Sequence, residues 1–329
     1  IGDYLGLQGT MMYTKTGELT LRVKSLLLLT KSIRPMPVPK VQEKDGEKII
    51  HDELRDREFR YRQRYVDLTL NPEVATVFRQ RNVMMQTIRT YLTEQGFLEV
   101  ETPTLQPVYG GANATPFITH HKALDQNFFL RIANELYLKR LIAGGFDAVF
   151  EFTKNFRNEG IDRTHNPEFS ALEFYQANVD YTAMMEHTEQ IFSLCAQALH
   201  GSMQFEYDGQ LLDVSPPWKR MSMYEVLQEL AGIEVESLDD QELQNVLRSN
   251  DLELEGAWNR GLAVQLLFEE KCETQLIQPI FITGHPKETS PLCKQHRENP
   301  NLIERFEAFI NGWELANAYS ELNDPQLQR

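Results

Sequence analysis

The chain has 329 residues, of which 41% are hydrophobic and 25% charged, which predicts about two globular domains and excludes a disordered or fibrous protein. Its formal net charge of −15 argues against nucleic-acid binding through overall positive charge, although an acidic protein can still carry a local basic face. The three cysteines lie far apart, and the longest apolar run, Leu26–Leu29, is much shorter than the roughly 20 residues of a membrane span, so we expect a cytoplasmic chain with no membrane partner.

The first predicted elements are two strands followed by a linker. The strand patterns cover residues 4–13 and 19–23. Two strands alone are only marginally stable, so we expect either the remnant of a small β-barrel or a pair that packs on a larger domain. Three prolines at alternate positions favour extended backbone and predict the linker: Pro35, Pro37 and Pro39. Because Ile1 opens the chain and no cap precedes Arg329, we expect a truncated chain.

A stretch that is dense in charge follows between residues 42 and 64. Acidic residues alternate there with five arginines, which are Arg55, Arg57, Arg60, Arg62 and Arg64. Such a pattern is typical of a solvated helix face. The alternative is a hinge that also contacts a polyanion.

The next segment predicts a long helix and a short strand. Asn71 and Pro72 are typical of a helix start, apolar residues then recur at helical spacing, and Gly96 is typical of a helix end. A strand is predicted at 97–101 and ends at Pro103. The later predictions are a helix at 136–142, strands at 146–153 and 170–177, a helix at 183–199 and a helix-rich stretch at 221–272. Helices and strands do not alternate strictly, which favours an α+β fold with an antiparallel sheet.

The densest polar constellation lies between residues 156 and 175. Arg157 ends one predicted strand, a polar loop follows, and a second strand carries Glu173 and Tyr175. Because these two residues are two positions apart, their side chains face the same side of the sheet. One interpretation is an internal ion pair between arginine and glutamate that stabilises a hairpin. The other is that Arg157 holds an anion and Glu173 holds a cation.

Five separated blocks of the sequence resemble a known family. Arg157-Asn158-Glu159 with His165-Asn166-Pro167-Glu168-Phe169 resembles the second signature motif of the class II aminoacyl-tRNA synthetases. The helix that ends at Gly96, with the sequence at 97–103, resembles their first motif. The blocks at 110–117, 133–140 and 314–324 are similar to the lysyl-tRNA synthetases in particular. The resemblance covers nearly the whole chain.

The resemblance implies a fold and a domain order. The fold is α+β, with a class II synthetase-type antiparallel sheet flanked by helices and preceded by the remnant of an OB-type β-barrel. Residues 1–34 would be the C-terminal part of the OB-fold anticodon-binding barrel, 35–58 a linker and 59–329 the catalytic domain. The third family motif, a Gly-rich strand and helix that end in an arginine, would follow Arg329. We therefore expect a catalytic domain truncated before its third motif, without full activity.

The resemblance also implies the chemistry, which is ATP-dependent activation of L-lysine to lysyl-adenylate and transfer to tRNA(Lys). The implied catalytic residues are Arg157 and His165. The implied ATP-binding residues are Arg157, Glu159, Arg163, His165, Phe169, Glu307 and Glu314. Among them, Glu307 and Glu314 would hold Mg²⁺, an ion that prefers oxygen ligands.

Each nucleotide role follows from the family motif. Arg157 would bind the α-phosphate and the lysine carboxylate together, because its planar fork suits both. Glu159 would accept from the adenine amino group, and Phe169 would stack on the adenine ring. Arg163 and His165 would meet the outer phosphates.

The implied lysine-binding residues are mostly acidic or aromatic. They are Gly111, Glu135, Arg157, Glu173, Tyr175, Asn317, Tyr319 and Glu321. An ammonium group that leaves water needs close carboxylates. Related synthetases for aspartate place a cation where this chain has Glu321, which argues against an acidic amino acid. We assign Glu173 to the α-amino group and Glu321 to the side-chain ammonium, and the two roles could be exchanged.

The implied partners are L-lysine, ATP, tRNA(Lys) and a second copy of the chain, which would form a homodimer through residues 73–103. Two alternatives remain open at this point. One is a lysine-activating paralogue that modifies a protein; such paralogues lack the N-terminal barrel, so the strands at 4–23 favour tRNA. The other is a non-catalytic dimer that only binds ligands.

Overall fold

The computed structural model describes residues 2–34, 36, 40–44, 47–51 and 56–328, and for 40–44 and 47–51 it describes the backbone alone. The chain divides into two compact units, residues 1–82 and 83–329. The predicted linker prolines, Pro35, Pro37 and Pro39, lie outside the described residues. The predicted domain boundaries at residues 34 and 58 stay a prediction.

The structure contains strands and helices throughout. The strands are β1 (Tyr4–Tyr13), β2 (Leu19–Thr30), β3 (Lys40–Lys44), β4 (Glu47–His51), β5 (Leu98–Glu99), β6 (Leu105–Gln106), β7 (Ile118–His121), β8 (Gln126–Leu130), β9 (Ala148–Phe156), β10 (Glu168–Gln176), β11 (Gln204–Tyr207), β12 (Gln210–Asp213), β13 (Lys219–Ser222), β14 (Ile280–Thr283), β15 (Arg305–Ile310) and β16 (Trp313–Tyr319). The helices are α1 (Arg57–Arg62), α2 (Arg64–Leu70), α3 (Pro72–Glu94), α4 (Glu135–Ala143), α5 (Tyr181–His200), α6 (Met223–Ala231), α7 (Asp240–Ser249) and α8 (Arg260–Lys271).

The first unit opens with a long antiparallel ribbon. β1 occupies the residues predicted for it, whereas β2 continues seven residues beyond the predicted end at residue 23, through Leu26–Leu29 to Thr30. The alternation that identified the strand stops at Val23, but pairing with β1 continues through the leucine run. All four leucines are exposed. This ribbon fits the expected remnant of a barrel, because a barrel strand has one face that other strands cover.

The charged stretch forms a second antiparallel pair, β3–β4, and then two short helices. Asp56 caps α1 by accepting hydrogen bonds from the backbone N–H groups of Glu58 and Phe59. Asp67 on α2 is fully buried and pairs with Arg60 at 2.8 Å and Arg64 at 2.5 Å. These two arginines are therefore not simply a solvated helix face. Contact with a polyanion stays a prediction.

The described residues of the second unit form four sheets: β6-β8-β7, β11-β12 and the two that follow. In one, β9 pairs with β10 in antiparallel and with β5 in parallel orientation. In the other, the strand order is β13-β14-β15-β16, and only the β13–β14 pair is parallel. Antiparallel pairs thus predominate in the described residues, which confirms the predicted α+β class. The second sheet lies between α6 and α8 on one face and α5 on the other.

Helix α5 packs against both the β10-β9-β5 sheet and the β13-β14-β15-β16 sheet. Met184 and Met185 pack with Phe306 of the second sheet, and Ile191 packs with Phe150 of the first. Gly201, with φ of +70°, ends the helix in the left-handed conformation that glycine adopts without strain. Because one rigid helix contacts both sheets, it fixes the distance between β10 and β16, which carry six of the fourteen predicted site residues.

Most predicted elements of the second unit occur within a few residues of their predicted ends. The strand predicted at 97–101 is the exception, since only Leu98–Glu99 pair with β9 as a strand. In the described residues, no helix is both long enough and apolar enough to cross a membrane.

Candidate active site

The β9–β10 hairpin forms the floor of the candidate site. In its register Glu173 lies opposite Glu151, and Tyr175 lies opposite Val149. The predicted placement of Glu173 and Tyr175 on one face of a strand is therefore confirmed, since both lie on β10 two residues apart. The loop at 157–167 joins the two strands at one end of the hairpin.

A buried ion pair lies on the same face of the hairpin as Glu173, because Glu151 is directly opposite that residue. Arg131 and Glu151 are 5% and 3% exposed, and an Arg131 Nη1–H donates to Glu151 Oε1 at 2.9 Å. Glu151 also accepts hydrogen bonds from the Thr102 hydroxyl at 2.7 Å and the Asn134 amide at 2.9 Å. A buried carboxylate is stable only when its oxygens are satisfied in this way. Since Asn134 immediately precedes α4, the network fixes the start of the helix that carries Glu135.

A pocket of acidic and aromatic side chains lies above the floor; we call it the carboxylate pocket. It consists of Glu135, Glu173, Tyr175, Tyr319 and Glu321. The Tyr319 hydroxyl donates to Glu135 Oε1 at 3.3 Å, and the Tyr175 hydroxyl donates to Glu173 Oε2 at 3.4 Å. Five of the eight residues predicted to bind lysine are thus brought together from three separate elements.

The pocket also contains a cation that was not predicted. The Lys139 ammonium lies 2.6 Å from Glu135 Oε1, 2.9 Å from Glu321 Oε1 and 3.2 Å from the Tyr319 hydroxyl. It also lies 5.3 Å from the centre of the Tyr319 ring, within cation–π range. The pocket therefore already demonstrates that it can surround an ammonium group.

Burial and like charge shift the pKa values in the carboxylate pocket. Burial, with the nearby Glu135 and Glu151 charges, raises the pKa of Glu173 to about 7. Burial also raises the pKa of Glu321 and of the Tyr175 phenol. For Lys139, burial opposes the charged form, but the hydrogen bonds to the two glutamates outweigh it and raise its pKa. The pocket consequently favours a further positive charge.

Gly111 closes one side of the pocket. Its φ of +89° is a conformation that other residues adopt only with strain. A Cβ at this position would lie 3.1 Å from the Cβ of Glu135 and 3.2 Å from the Cβ of Ala133. Any side chain here would therefore press on the residue that lines the pocket.

Arg157 lies at the end of β9 with its guanidinium over Phe169, 5.1 Å from the ring centre. Its Nε is buried and has no hydrogen-bond partner in the described part of the chain. Within the same residues, Arg157 also forms no ion pair with Glu173, so the internal-pair interpretation of these two is wrong. Within the hairpin itself, Lys154 lies 3.5 Å from Glu168, and Glu151 pairs with Arg131, which lies outside the hairpin. A buried donor without a partner suits an anionic ligand.

The loop at 157–167 is more exposed than the pocket. Asp162 accepts hydrogen bonds from the backbone N–H groups of Thr164 and His165 and lies 2.7 Å from His165 Nδ1. These bonds hold the pKa of Asp162 below its usual range. The His165 side chain is 75% exposed, and Arg163 is exposed as well. Glu159 accepts a hydrogen bond from the Thr115 N–H at 3.2 Å.

The predicted metal ligands Glu307 and Glu314 lie on the paired strands β15 and β16. Asn317 lies opposite Glu307 and donates its amide to Glu314 Oε1 at 2.8 Å. Burial raises the pKa of Glu307 to about 7; the Arg305 guanidinium opposes this, while the Glu314 and Glu273 charges add to it. In the described residues, no group of three or more acidic, histidine or cysteine side chains could hold a metal ion. The assignment of Glu307 and Glu314 as Mg²⁺ ligands stays a prediction.

Several site residues were not identified from the sequence. They are Thr102, Arg131, Asn134, Lys139, Glu151, Asp162 and Arg305. Lys139 carries a usable signal, because it is four residues after Glu135 on a predicted helix and such residues are neighbours. The buried pair of Arg131 and Glu151 carries no comparable signal, since the two residues come from different elements.

Comparison with known proteins identifies the family to which the chain is similar. Residues 56–329 match the family model described as tRNA synthetases class II (D, K and N). The whole chain is 50% identical to the lysine–tRNA ligase of Christiangramia forsetii, covering 57% of that protein. It is also 50% identical to the enzyme of the same name from Porphyromonas gingivalis and 47% identical to that from Azobacteroides pseudotrichonymphae, covering 56% and 65% of them. The chain thus spans a little more than half the length of these relatives.

Proposed function

The chain belongs to the class II tRNA synthetases (D, K and N), and we propose that it is part of a lysine–tRNA ligase, which activates L-lysine with ATP and transfers it to tRNA(Lys). The observation that carries this proposal is the carboxylate pocket, where the carboxylates of Glu135 and Glu321 both contact one ammonium group. A pocket for an acidic amino acid would need fixed cations in excess, whereas here carboxylates exceed them.

Lysine recognition rests on charge at both ends of the substrate. The α-ammonium group would contact Glu173 and the side-chain ammonium group would contact Glu321, or the two contacts would be exchanged. Glu135, Tyr175, Asn317 and Tyr319 would complete the wall. The substrate carboxylate would meet Arg157, whose buried Nε lacks a partner in the described part of the chain.

ATP would lie between the hairpin and the exposed loop. Phe169 already stacks with the Arg157 guanidinium, so an adenine ring could extend that stack. Glu159 would accept from the adenine amino group, and Arg163 and His165 would meet the outer phosphates. The exposure of these two side chains supports contact with a ligand that enters from solvent.

Glu307 and Glu314 would hold Mg²⁺ against the phosphates. Both supply the hard oxygen atoms that this ion prefers, and Asn317 orients Glu314. When bound, the ion would neutralise the phosphate charge that the two carboxylates would otherwise repel.

The first chemical step is an in-line displacement. A lysine carboxylate oxygen forms a bond to the α-phosphorus, the bond to the bridging oxygen breaks, and pyrophosphate leaves with the electron pair. The step needs charge neutralisation and positioning more than proton transfer by the protein. Arg157 would stabilise the charge on the α-phosphate while it holds the attacking carboxylate. A terminal ribose hydroxyl of tRNA would then attack the carbonyl carbon, and AMP would leave.

The further partners follow from the same premise. We propose tRNA(Lys) as the acceptor and a homodimer through residues 73–103. Val77, Phe78 and Val83 of α3 are exposed, which supports an apolar interface along this helix. We place the reaction in the cytoplasm, where the unpaired and buried Cys195, Cys272 and Cys293 would stay reduced.

Lysine-dependent exchange of pyrophosphate into ATP tests this proposal directly. We expect exchange with L-lysine and none with L-aspartate or L-asparagine, because only lysine supplies a second ammonium group. Charging of tRNA(Lys), compared with labelling of a protein acceptor, separates the ligase from a lysine-activating paralogue. Lysine binding without exchange would favour a non-catalytic dimer, and exchange driven by aspartate would contradict the proposal.

A further inference from the structure

Lys139 occupies the centre of the carboxylate pocket. Its side chain is only 25% exposed, and its ammonium group is shared between Glu135 on α4 and Glu321 just after β16. The two glutamates are 186 positions apart in the chain, so this single cation links the start of α4 to the residues that follow β16. A lysine that served only to cap or solubilise a helix would extend into solvent instead.

The geometry leaves one oxygen of each carboxylate open. Lys139 contacts Oε1 of Glu135 and Oε1 of Glu321. The Tyr319 hydroxyl also donates to Oε1 of Glu135. In the described part of the chain, the two Oε2 atoms accept no hydrogen bond, although each carboxylate can accept several. Lys139 therefore holds the two groups in place without using up their capacity for a ligand.

The charges of the pocket match a diammonium ligand when Lys139 is counted. Glu135, Glu173 and Glu321 are three carboxylates, and with the Lys139 ammonium they leave a formal charge of −2. Free L-lysine brings two ammonium groups, while its carboxylate would be met by Arg157. The pocket without Lys139 would carry one uncompensated charge in a buried place, which is costly.

We propose that Lys139 is a positioning residue for the amino-acid substrate: it stays in the pocket as a fixed counter-ion, holds Glu135 and Glu321 in place, and offsets part of the negative charge that these two carboxylates and Glu173 present to the two ammonium groups of L-lysine. This inference rests on the proposed function.

The groups that face this pocket come from every element packed around it. From α4 they are Glu135 and Lys139; from the hairpin, Glu151, Glu173 and Tyr175; from the second sheet and the residues next to it, Tyr319, Glu321, Arg305 and Cys293. Arg131 neutralises Glu151 at 2.9 Å, so Glu151 belongs to the floor rather than to the charge that a ligand meets. Of the cations in this set, Lys139 is the one in contact with Glu135 and Glu321.

Removal of the Lys139 charge has a consequence that a packing defect lacks. Without it, Glu173 and Glu321 lose a nearby positive charge that favours their ionised forms, so the pKa values of these two carboxyls rise further. A protonated carboxyl does not attract an ammonium group, so lysine must then displace a proton in order to bind. The loss of affinity should therefore be largest at low pH and should shrink as the pH rises.

Titration calorimetry of L-lysine into the chain at pH 6.0, 7.0 and 8.5 tests the proposal. The variants are Lys139→Met, which keeps the length without the charge, and Lys139→Arg, which keeps the charge. Arg140→Met is the matched control, because Arg140 is the exposed neighbour on the same helix and stacks on Tyr137. The thermal midpoint of each variant shows whether it is folded.

We expect Lys139→Met to bind L-lysine about tenfold more weakly at pH 7.0, with a larger gap at pH 6.0 and a smaller one at pH 8.5. Lys139→Arg should restore most of the affinity and the pH profile, and Arg140→Met should match the parent chain. Unchanged or tighter binding by Lys139→Met would show that Lys139 is absent from the bound state or is displaced, and would overturn the proposal. A loss that is equal at every pH would overturn it as well. Failure of the parent chain to bind L-lysine would instead overturn the proposed function.

Discussion

The carboxylate pocket and the loop at 157–167 differ in how their charges are held. In the pocket, Glu135, Glu173 and Glu321 lie on or beside regular elements, and burial and the nearby Glu135 charge raise the pKa values of Glu173 and Glu321. In the loop, Arg163 and His165 are exposed, and the backbone N–H groups of Thr164 and His165 donate to the Asp162 carboxylate, which organises the turn. The side chains of the pocket are thus preorganised without a ligand, whereas a ligand would have to order the exposed charged side chains of the loop.

This difference fits what each region would bind. A lysine side chain is small and must be distinguished from those of other amino acids. This requires polar groups in fixed positions, because the wrong amino acid leaves them unpaired and therefore binds more weakly. A triphosphate is large, highly charged and supplies its own anchoring points. Arg157, at the junction of the two regions, would contact both ligands.

Arg157→Ala should have the largest effect, because it removes the one group that would serve both regions. We expect the rate of pyrophosphate exchange to fall about 10³-fold, equivalent to about 4 kcal/mol of transition-state stabilisation. Lys154→Ala is the control, since Lys154 is an exposed cation on the same strand. Exchange within a few-fold of the parent rate would remove Arg157 from this role.

Glu321→Gln should weaken ligand binding in the pocket and leave ligand binding at the loop unchanged. We expect the Kd for L-lysine to rise about 10²-fold, or about 3 kcal/mol, because one partner of a desolvated charge pair is lost. The Kd for ATP should change little. Equal losses of affinity for both ligands would assign Glu321 a general structural role. Glu298→Gln is the control, because Glu298 is an exposed residue and its replacement removes one negative charge elsewhere.

The pH dependence of lysine binding should sharpen the contrast. Burial raises the pKa of Glu173 to about 7 in the empty pocket, and a bound ammonium would favour its ionised form. Lysine affinity should therefore fall below pH 7, by at most about tenfold per pH unit, and level off above it. Titrations from pH 5.5 to 8.5 measure this, and Glu173→Gln should remove the inflection. A flat profile in the parent chain would show that Glu173 stays ionised without a ligand.

Asp162→Asn should have the smallest effect, because the loop is exposed and its charge pairs are screened by water. We expect the KM for ATP to rise about threefold, with the KM for L-lysine unchanged. His165→Ala should give a similar or slightly larger rise. A rise of 10²-fold in Asp162→Asn would mean that the loop is as rigidly organised as the pocket, and the contrast between the two would fail.

The sequence was informative where the signal is local. Alternation along one strand was enough to place Glu173 and Tyr175 on a common face, and the Asn71–Pro72 start fixed the beginning of α3. The end of β2 was placed too early, because the leucine run does not alternate and its pairing depends on β1.

The contacts that complete the site depend on the fold. Lys139 meets Glu321 only because α5 and the two sheets bring α4 near the end of β16. Arg131 and Glu151 are separated by a helix, so spacing gives no reason to pair them. The family resemblance identified most pocket residues but supplied no role for these three.

The satisfied network around Glu151 also constrains how this protein can change over time. The Glu151 carboxylate accepts hydrogen bonds from Arg131, Thr102 and Asn134. Replacing any one of these donors therefore leaves a buried polar group without a hydrogen-bond partner. Neutral drift at these four positions must therefore proceed by coupled replacements. Random libraries over them should yield functional clones chiefly when compensating changes arrive together, even though none of the four was predicted to contact substrate.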